Sequence, residues 1–318
     1  MKKMKLKKKV KRLFILCIIL IIGLVIGYNK YKEYQYKKTN EYKLTVVGYT
    51  LDESKIIIDK LNNENENYFI NNTKIEYIID LINEKYFLEK NLHEYIDYKN
   101  NNKSKELNEV VALVNVGANK DWYDVKKVKP TDLSKGDLIL VNKFNYLTKD
   151  YVPEEITSIS LSYAYSDNKV SKRCNDAYIE MAKAAKEDGI KLMANSTYRT
   201  YERQEKVYKD YYYSKGISYA DKYAARAGYS EHQTGLAIDI FTPSHPTTST
   251  FENSDAFVWL TNNAHKFGFI LRYPKGKEHL TGYAYESWHY RYLGKDIATK
   301  VYESGLTYDE YYAYYLEN

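Results

Sequence analysis

The alternation of apolar and polar residues is clearest near residue 236. Leu236, Ile238 and Ile240 alternate with other residues, which predicts a short strand whose apolar side faces the core. Asp239 then lies on the opposite side of that strand. A carboxylate between apolar neighbours is costly unless a cation or several hydrogen-bond donors meet it. A second strand is predicted further on, at residues 288–292, WHYRY.

Apolar residues at helical spacing predict the elements around these strands. The predicted helices cover residues 51–61, 74–81, 84–98, 175–188, 201–214, 218–227, 254–266 and 295–316, the last one broken near Gly305. Asn175 and Ser254 are the predicted N-caps of two of them. Three further apolar segments predict strands, at residues 110–116, 138–141 and 190–196.

The N-terminal segment combines a basic tail with an apolar run. Residues 1–12 hold eight Lys or Arg side chains and no acidic one, and residues 13–28 carry no charge. The run is slightly shorter than the roughly 20 residues of an average membrane helix, and the apolar part of a signal peptide looks the same. Because no small-residue cleavage site follows, we predict an uncleaved single-pass anchor in the cell membrane, with everything after it outside.

The rest of the chain is predicted to form three parts. A polar, tyrosine- and lysine-rich stalk covers residues 29–43, and a small helical module covers residues 44–109. The module either holds the following domain away from the membrane or recognises a partner. Residues 110–318 form the main domain.

Composition changes this picture in two ways. The net charge of +6 comes from the tail, because the remainder carries 40 basic against 42 acidic side chains. We therefore predict no nucleic-acid partner. Of the two cysteines, only Cys174 lies outside the apolar run. No intrachain disulfide can form there, so stability must come from packing, to which a bound metal would add.

Candidate metal ligands lie in and near the two predicted strands. His232 precedes the first strand and stands seven residues before Asp239, and His289 lies in the second. Two imidazoles and one carboxylate are a common ligand set for a catalytic zinc, which keeps its fourth position for water. Glu286 lies three residues before His289. It can face the same metal only from a turn, which Gly282 and the residues after it permit.

Three segments occur in a characteristic order. They are STYR at residues 196–199 followed by Gln204, YSEHQTGLAIDI at residues 229–240, and ESWHYRYLG at residues 286–294. Together they resemble the VanY-type D-alanyl-D-alanine carboxypeptidases, zinc peptidases of the cell wall that belong to the LAS metallopeptidases. Every position of that family's pattern, S-x-H-x-x-x-x-x-x-D followed by E-x-W-H, is filled over roughly residues 130–305.

The resemblance implies an α+β fold, with a small antiparallel sheet and flanking helices, behind the helical module and the membrane helix. It also implies one zinc ion per chain, held by His232, Asp239 and His289. Glu286 would then be the general base that takes a proton from water and gives it to the leaving amine.

Three further residues match positions that help the family bind substrate. Arg199 offers a fork of donors to the terminal carboxylate of a peptide, and Gln204 follows it at the start of a helix. Ser230 either positions substrate or supports the metal loop. Glu231, between Ser230 and His232, is expected to be solvated and to lie off the metal.

The predicted function is zinc-dependent removal of the C-terminal D-alanine from peptidoglycan stem peptides. Two alternatives stay open on the sequence alone. One is an L,D-carboxypeptidase that acts on tetrapeptide stems with the same metal ligands. The other is a cell-wall-binding protein that keeps the fold without catalysis, although such a protein has no need for Glu286 as a proton acceptor.

Overall fold

The computed structural model describes residues 2–317, with side chains from residue 7 onward. Contacts between Cα atoms divide the chain into two compact units, Met1–Lys90 and Asn91–Asn318. The first unit contains five helices among its described residues: α1 (Lys2–Tyr36), α2 (Asn40–Val47), α3 (Leu51–Lys60), α4 (Asn63–Asn71) and α5 (Ile78–Asn83).

The second unit holds the other helices and all strands of the described chain. Its helices are α6 (Leu92–Asn101), α7 (Leu107–Asn115), α8 (Lys172–Glu187), α9 (Tyr201–Lys215), α10 (Ile217–Tyr223), α11 (Thr248–Phe251), α12 (Asp255–Asn263), α13 (Glu278–Thr281), α14 (Lys295–Ser304) and α15 (Tyr308–Tyr315). Its strands are β1 (Lys129–Pro130), β2 (Asn145–Tyr146), β3 (Ile156–Ser158), β4 (Lys169–Ser171), β5 (Met193–Ser196), β6 (Ala237–Phe241), β7 (Phe269–Leu271) and β8 (His289–Tyr292).

In the first unit, α1 is long and apolar enough to cross a membrane, with residues 7–36 as the candidate span. A helix of this length and composition is compatible with a single-pass anchor and equally with a signal sequence. The predicted helix at residues 51–61 is α3, which Thr50 and Glu53 cap reciprocally. The small core of the unit includes Ile57 and Phe69, both fully buried.

A four-stranded antiparallel sheet lies at the centre of the second unit, in the order β5-β6-β8-β7. This confirms the predicted α+β class. Ile238 and Ile240 of β6 are fully buried in one apolar cluster with Met181 of α8 and Leu260 of α12. The main core therefore covers one face of the sheet.

The register of the sheet decides what lies on its other face. Asp239 of β6 pairs directly with His289 of β8, and Ser196 of β5 pairs with Asp239 on the other side, next to a register shift. Residues that pair across neighbouring strands point to the same face. These three polar side chains therefore form a row across three strands, on the face away from Ile238 and Ile240.

Two C-terminal helices cover the sheet near β7. The predicted break at Gly305 is present: α14 ends there with the backbone in the left-handed region, at φ 68°. Thr307 and Glu310 then form a capping box at the start of α15. Leu293, Val301 and Tyr308 belong to the buried cluster that these helices share with the strand.

Three local predictions within residues 110–175 are wrong. The run at residues 110–116 lies mostly in α7, where Val110, Val111 and Val114 are buried at helical spacing. An apolar run without clear periodicity does not distinguish a strand from a buried helix. The run at residues 138–141 forms no strand, and Ser171 caps α8 in place of Asn175.

A buried lysine supports the loop that follows α13. Lys143 is almost fully buried, with Nζ 4.6 Å from the Tyr283 ring centre and 5.4 Å from that of Trp122. It donates a hydrogen bond to the carbonyl oxygen of Asp221 at 2.6 Å. Burial lowers the pKa of the Lys143 ammonium to about 8, although the charge of Asp221 acts in the opposite direction.

We predict that Lys143 makes the second unit more stable at alkaline pH. The folded chain releases this proton near pH 8, whereas an unfolded lysine holds it to about pH 10.4. The unfolded state therefore binds more protons in this window, and the free energy of unfolding rises with pH by up to about 1.4 kcal/mol per unit. Urea unfolding followed by tryptophan fluorescence at pH 8.0 and 9.5 measures this rise. Lys143→Met should remove it, and parallel pH profiles for the two proteins would contradict the prediction.

A second prediction concerns Gly235, which connects the loop before β6 to that strand. Its φ is 69°, and an added Cβ would lie 2.9 Å from Ile156 Cδ1 and 3.2 Å from the Ser171 nitrogen. Gly189 has a similar φ of 80° with nothing within 4 Å, so it is a matched control. Gly189→Ala should cost about 1–2 kcal/mol of unfolding free energy. Gly235→Ala should cost roughly 1–3 kcal/mol more, because it also overpacks. Equal losses in urea titrations would refute the steric contribution.

Candidate active site

Three side chains from distant parts of the sequence converge on the face of the sheet that lies opposite the main core. One candidate ligand atom from each of His232, Asp239 and His289 lies within 4.8 Å of the other two. His232 Nε2 is 3.4 Å from Asp239 Oδ2, and His289 Nδ1 is 3.1 Å from Asp239 Oδ1. All three residues are buried. The sequence predicted this trio, and the structure brings it together.

Local structure explains how each of the three arrives there. Asp239 and His289 face each other because they are a direct pair between β6 and β8. His232 lies in the short 3-10 helix Glu231–Thr234, which ends at Gly235 just before β6. That reversal folds His232 back over the strand that carries Asp239.

Hydrogen bonds orient the two imidazoles in different ways. His232 Nδ1 lies 2.7 Å from the carbonyl oxygen of Thr197, so it donates its proton there and leaves the Nε2 lone pair facing Asp239. His289 has the opposite arrangement, since its Nδ1 faces Asp239 and its Nε2 points away. Two imidazole nitrogens and a carboxylate oxygen at these separations are a donor set that fits a divalent metal ion.

Burial and neighbouring charges together set the protonation of the two imidazoles. Burial, together with the nearby Arg199 charge, lowers the pKa of His232 to about 4, which leaves it neutral and ready to bind a metal. Burial also disfavours charge on His289, but the neighbouring carboxylates of Asp239 and Glu231 outweigh burial and raise its pKa to about 9. Metal binding at His289 must therefore displace a proton.

Glu286 lies beside the trio, in a turn as the sequence required. The His289 amide donates to the Glu286 carbonyl at 3.3 Å, and Gly282 starts the preceding loop with φ 76°. Glu286 Oε2 lies 3.6 Å from His289 Nδ1. Burial raises the pKa of the Glu286 carboxyl to about 7, so it can both accept and donate a proton near neutral pH.

The predicted substrate-binding residues line the same cavity, which has a volume of about 200 Å³. Arg199 donates to Ser196 through Nε and Nη2, and to Gln204 Oε1 through Nη1 at 2.8 Å. Gln204 donates in turn to the Ala225 carbonyl at 2.7 Å. Gln204 therefore connects Arg199, through Oε1, to the backbone at Ala225, through its amide nitrogen.

Ser230 has a more local contact. Its Oγ accepts a weak hydrogen bond from the His232 amide at 3.4 Å, which caps the 3-10 helix. The side chain is buried and lines the cavity. Ser230 therefore supports the loop that carries His232, and its side chain also lines the cavity.

The expectation of a solvated Glu231 is wrong. Its side chain is fully buried, and Oε1 accepts from Arg272 Nε at 2.8 Å and from Arg291 Nη1 at 2.9 Å. Burial opposes its ionisation, but the two guanidinium groups outweigh this and hold the pKa of Glu231 well below its usual range. Arg272 also pairs with Asp309 of α15. A glutamate in a polar stretch gives no sign of this burial, because both arginines lie far along the chain.

Comparison with known proteins places the chain in a family. The family model VanY, described as D-alanyl-D-alanine carboxypeptidase, matches residues 167–295, which include the trio and Glu286. The protein YodJ of Bacillus subtilis (strain 168) is 38% identical over 205 residues, which cover 60% of this chain and 73% of YodJ. A D-alanyl-D-alanine carboxypeptidase of Enterococcus faecalis (strain ATCC 700802 / V583) is 33% identical over 189 residues, which cover 57% of this chain and 67% of that protein.

A solved structure agrees with the sequence matches. The LdcB LD-carboxypeptidase superimposes with a TM-score of 0.56 at 36% identity, over 61% of this chain and 94% of that one. These matches confirm the resemblance drawn from the motifs. The chain belongs to the VanY family of D-alanyl-D-alanine carboxypeptidases, and it is a hydrolase of the carboxypeptidase class.

Proposed function

We propose that this protein is a zinc carboxypeptidase that removes the C-terminal D-alanine from peptidoglycan stem peptides. The observation that carries the proposal is the convergence of His232, Asp239 and His289 on one face of the sheet, with Glu286 beside them. The family membership supports the peptidase class, and the cavity that these residues line gives the scissile bond a place next to them.

One zinc ion per chain, held by His232, Asp239 and His289, would supply Lewis acidity and a water molecule of lowered pKa. The donor set supports this choice of metal. His232 presents Nε2, His289 presents Nδ1, and the Asp239 oxygens lie between them. The remaining chemistry belongs to the protein's own side chains.

Glu286 moves the proton in this mechanism. Its raised pKa and its place beside His289 suit a group that takes a proton from the attacking water. As the carbon–oxygen bond forms and the carbon–nitrogen bond breaks, Glu286 passes that proton to the leaving amine. The products are the shortened peptide with a new carboxylate and free D-alanine.

Arg199 determines where the peptide is cut. A guanidinium held at the cavity wall binds the terminal carboxylate of the substrate, which places the last peptide bond at the reacting groups. Gln204 fixes Arg199 through the hydrogen bond between them. Ser230, on the same cavity, supports the metal loop and lies within reach of the substrate.

An L,D-carboxypeptidase acting on tetrapeptide stems is the second candidate. The structural likeness to the LdcB LD-carboxypeptidase favours it, and the proposed ligands and base serve either reaction. Mass spectrometry after incubation with synthetic pentapeptide and tetrapeptide stems decides between them. Loss of D-alanine from the tetrapeptide alone would eliminate the D,D activity.

For the cellular location, we propose that the apolar helix anchors the protein in the cell membrane with its basic end inside. The candidate span at residues 7–36 supports an anchor, and the lysines and arginines before residue 13 favour this orientation. The catalytic unit would then face the cell wall, where stem peptides occur.

We predict that Glu286→Gln abolishes most turnover while zinc stays bound. The amide keeps the shape of the side chain but cannot accept a proton, so kcat should fall roughly 10²- to 10⁴-fold. Single-turnover hydrolysis of a stem peptide and the zinc content of the same sample measure the two properties. A zinc-loaded variant that is as fast as the wild type would exclude Glu286 as the base.

We also predict that Arg199 discriminates a free C-terminal carboxylate from an amide. The wild type should prefer the acid strongly, because a hydrogen bond to a charged group contributes about 1.5–3 kcal/mol, or roughly 10- to 100-fold in kcat/KM. Arg199→Met should cut the acid and the amidated peptide at similar, low rates. If the variant keeps the wild-type preference, another group binds the carboxylate.

A further inference from the structure

We propose that Glu231 is a positioning residue, which holds His289 so that its Nδ1 faces the metal. The inference rests on the proposed metal site and assigns a task to a residue that the mechanism above does not use. Its basis is a pair of buried atoms. His289 Nε2 and Glu231 Oε2 lie 3.5 Å apart, and neither has a hydrogen-bond partner among the described residues.

The position of the Glu231 carboxylate is fixed by two arginines. Its Oε1 accepts from Arg272 and Arg291 at 2.8 and 2.9 Å, which leaves Oε2 directed at His289. Arg291 is fixed in turn, because its Nη2 donates to the carbonyl oxygens of Asp137 and Ile139, each at 2.8 Å. The carboxylate therefore cannot rotate away without breaking charged hydrogen bonds.

The buried charges of this arrangement compensate one another. Arg272 also donates to the Asp309 carboxylate, at 2.5 and 3.2 Å, so two guanidinium groups meet two carboxylates. Asn142 donates to Asp309 as well, at 2.8 Å. With these bonds made, Glu231 Oε2 is an acceptor without a donor, and the ring nitrogen Nε2 of His289 lies 3.5 Å from it.

The consequence for His289 follows from imidazole chemistry. An imidazole that donates one ring N–H to a carboxylate offers the lone pair of its other nitrogen to a metal. If Nε2–H of His289 points to Glu231, Nδ1 is the ligand atom, and it already lies 3.1 Å from Asp239. The Thr197 carbonyl does the same for His232, through the opposite ring nitrogen.

Glu231→Gln tests the proposal because it preserves size while removing one acceptor. If its remaining oxygen stays on the arginines, the amide NH₂ faces His289 Nε2 and favours a proton on Nδ1, the atom needed by the metal. We expect the zinc affinity to fall roughly 10- to 100-fold. Chelator competition on the full-length protein in detergent measures the affinity, and the absorption spectrum of the cobalt-substituted protein reports the ligand geometry.

Leu260→Ala is the matched control, since Leu260 is buried in the core on the opposite face of the sheet. It destabilises the fold without touching the site's polar groups. At comparable stability in urea, Glu231→Gln should lose zinc affinity and change the cobalt spectrum, whereas Leu260→Ala should do neither. Wild-type zinc affinity in Glu231→Gln, or an equal loss in both variants, would overturn the proposal.

A zinc-loaded crystal structure of the wild type keeps the proposal testable if Glu231→Gln does not fold. It should show Nδ1 of His289 on the metal and a distance from Nε2 to Glu231 Oε2 below about 3.2 Å. Coordination through Nε2 would overturn the assignment. A wild type that takes up no zinc would instead refute the proposed function, so the two failures are distinguishable.

Discussion

The antiparallel register between β6 and β8 is the constraint on which the site depends. It pairs Asp239 with His289, so that a carboxylate and an imidazole lie side by side on one face while Ile238 and Ile240 fill the core on the other. A slip of one residue would exchange these faces along the whole strand. The burial of the isoleucines therefore fixes the position of Asp239 and His289 on the opposite face. The alternation of side chains along β6 produces both the core and the site.

Buried charge is the second constraint, and the chain meets it by pairing. Burial of an isolated carboxylate or guanidinium costs several kcal/mol even after the protein relaxes. Here Glu231, Arg272, Arg291 and Asp309 form one connected set, which links the loop before β6 to the C-terminal helix α15. Helix α15 therefore also has an electrostatic role. Its Asp309 carboxylate compensates the charge of Arg272, which in turn pairs with Glu231 beside His289.

The sequence predicted the parts of this structure that local patterns and the family motif specify. Alternating apolar residues located β6, and the three-residue spacing between Glu286 and His289 required the observed turn. The burial of Glu231 could not be predicted, since its partners are 41 and 60 residues away. Helix α7 was missed for another reason: a run of valines fits a strand and a buried helix equally well, and only packing decides.

The sheet also relates the proposed carboxylate site to the proposed metal site. Ser196, which holds Arg199 through two hydrogen bonds, pairs with Asp239 in the same row that contains His289. The guanidinium is thereby held next to the trio, with Arg199 Nη2 3.4 Å from Asp239 Oδ2. The outer cavity wall comes instead from α9 and α10, through side chains such as Tyr211 and Tyr223. The cavity is therefore lined both by Asp239 and His289 of the sheet and by side chains of two helices that lie outside it.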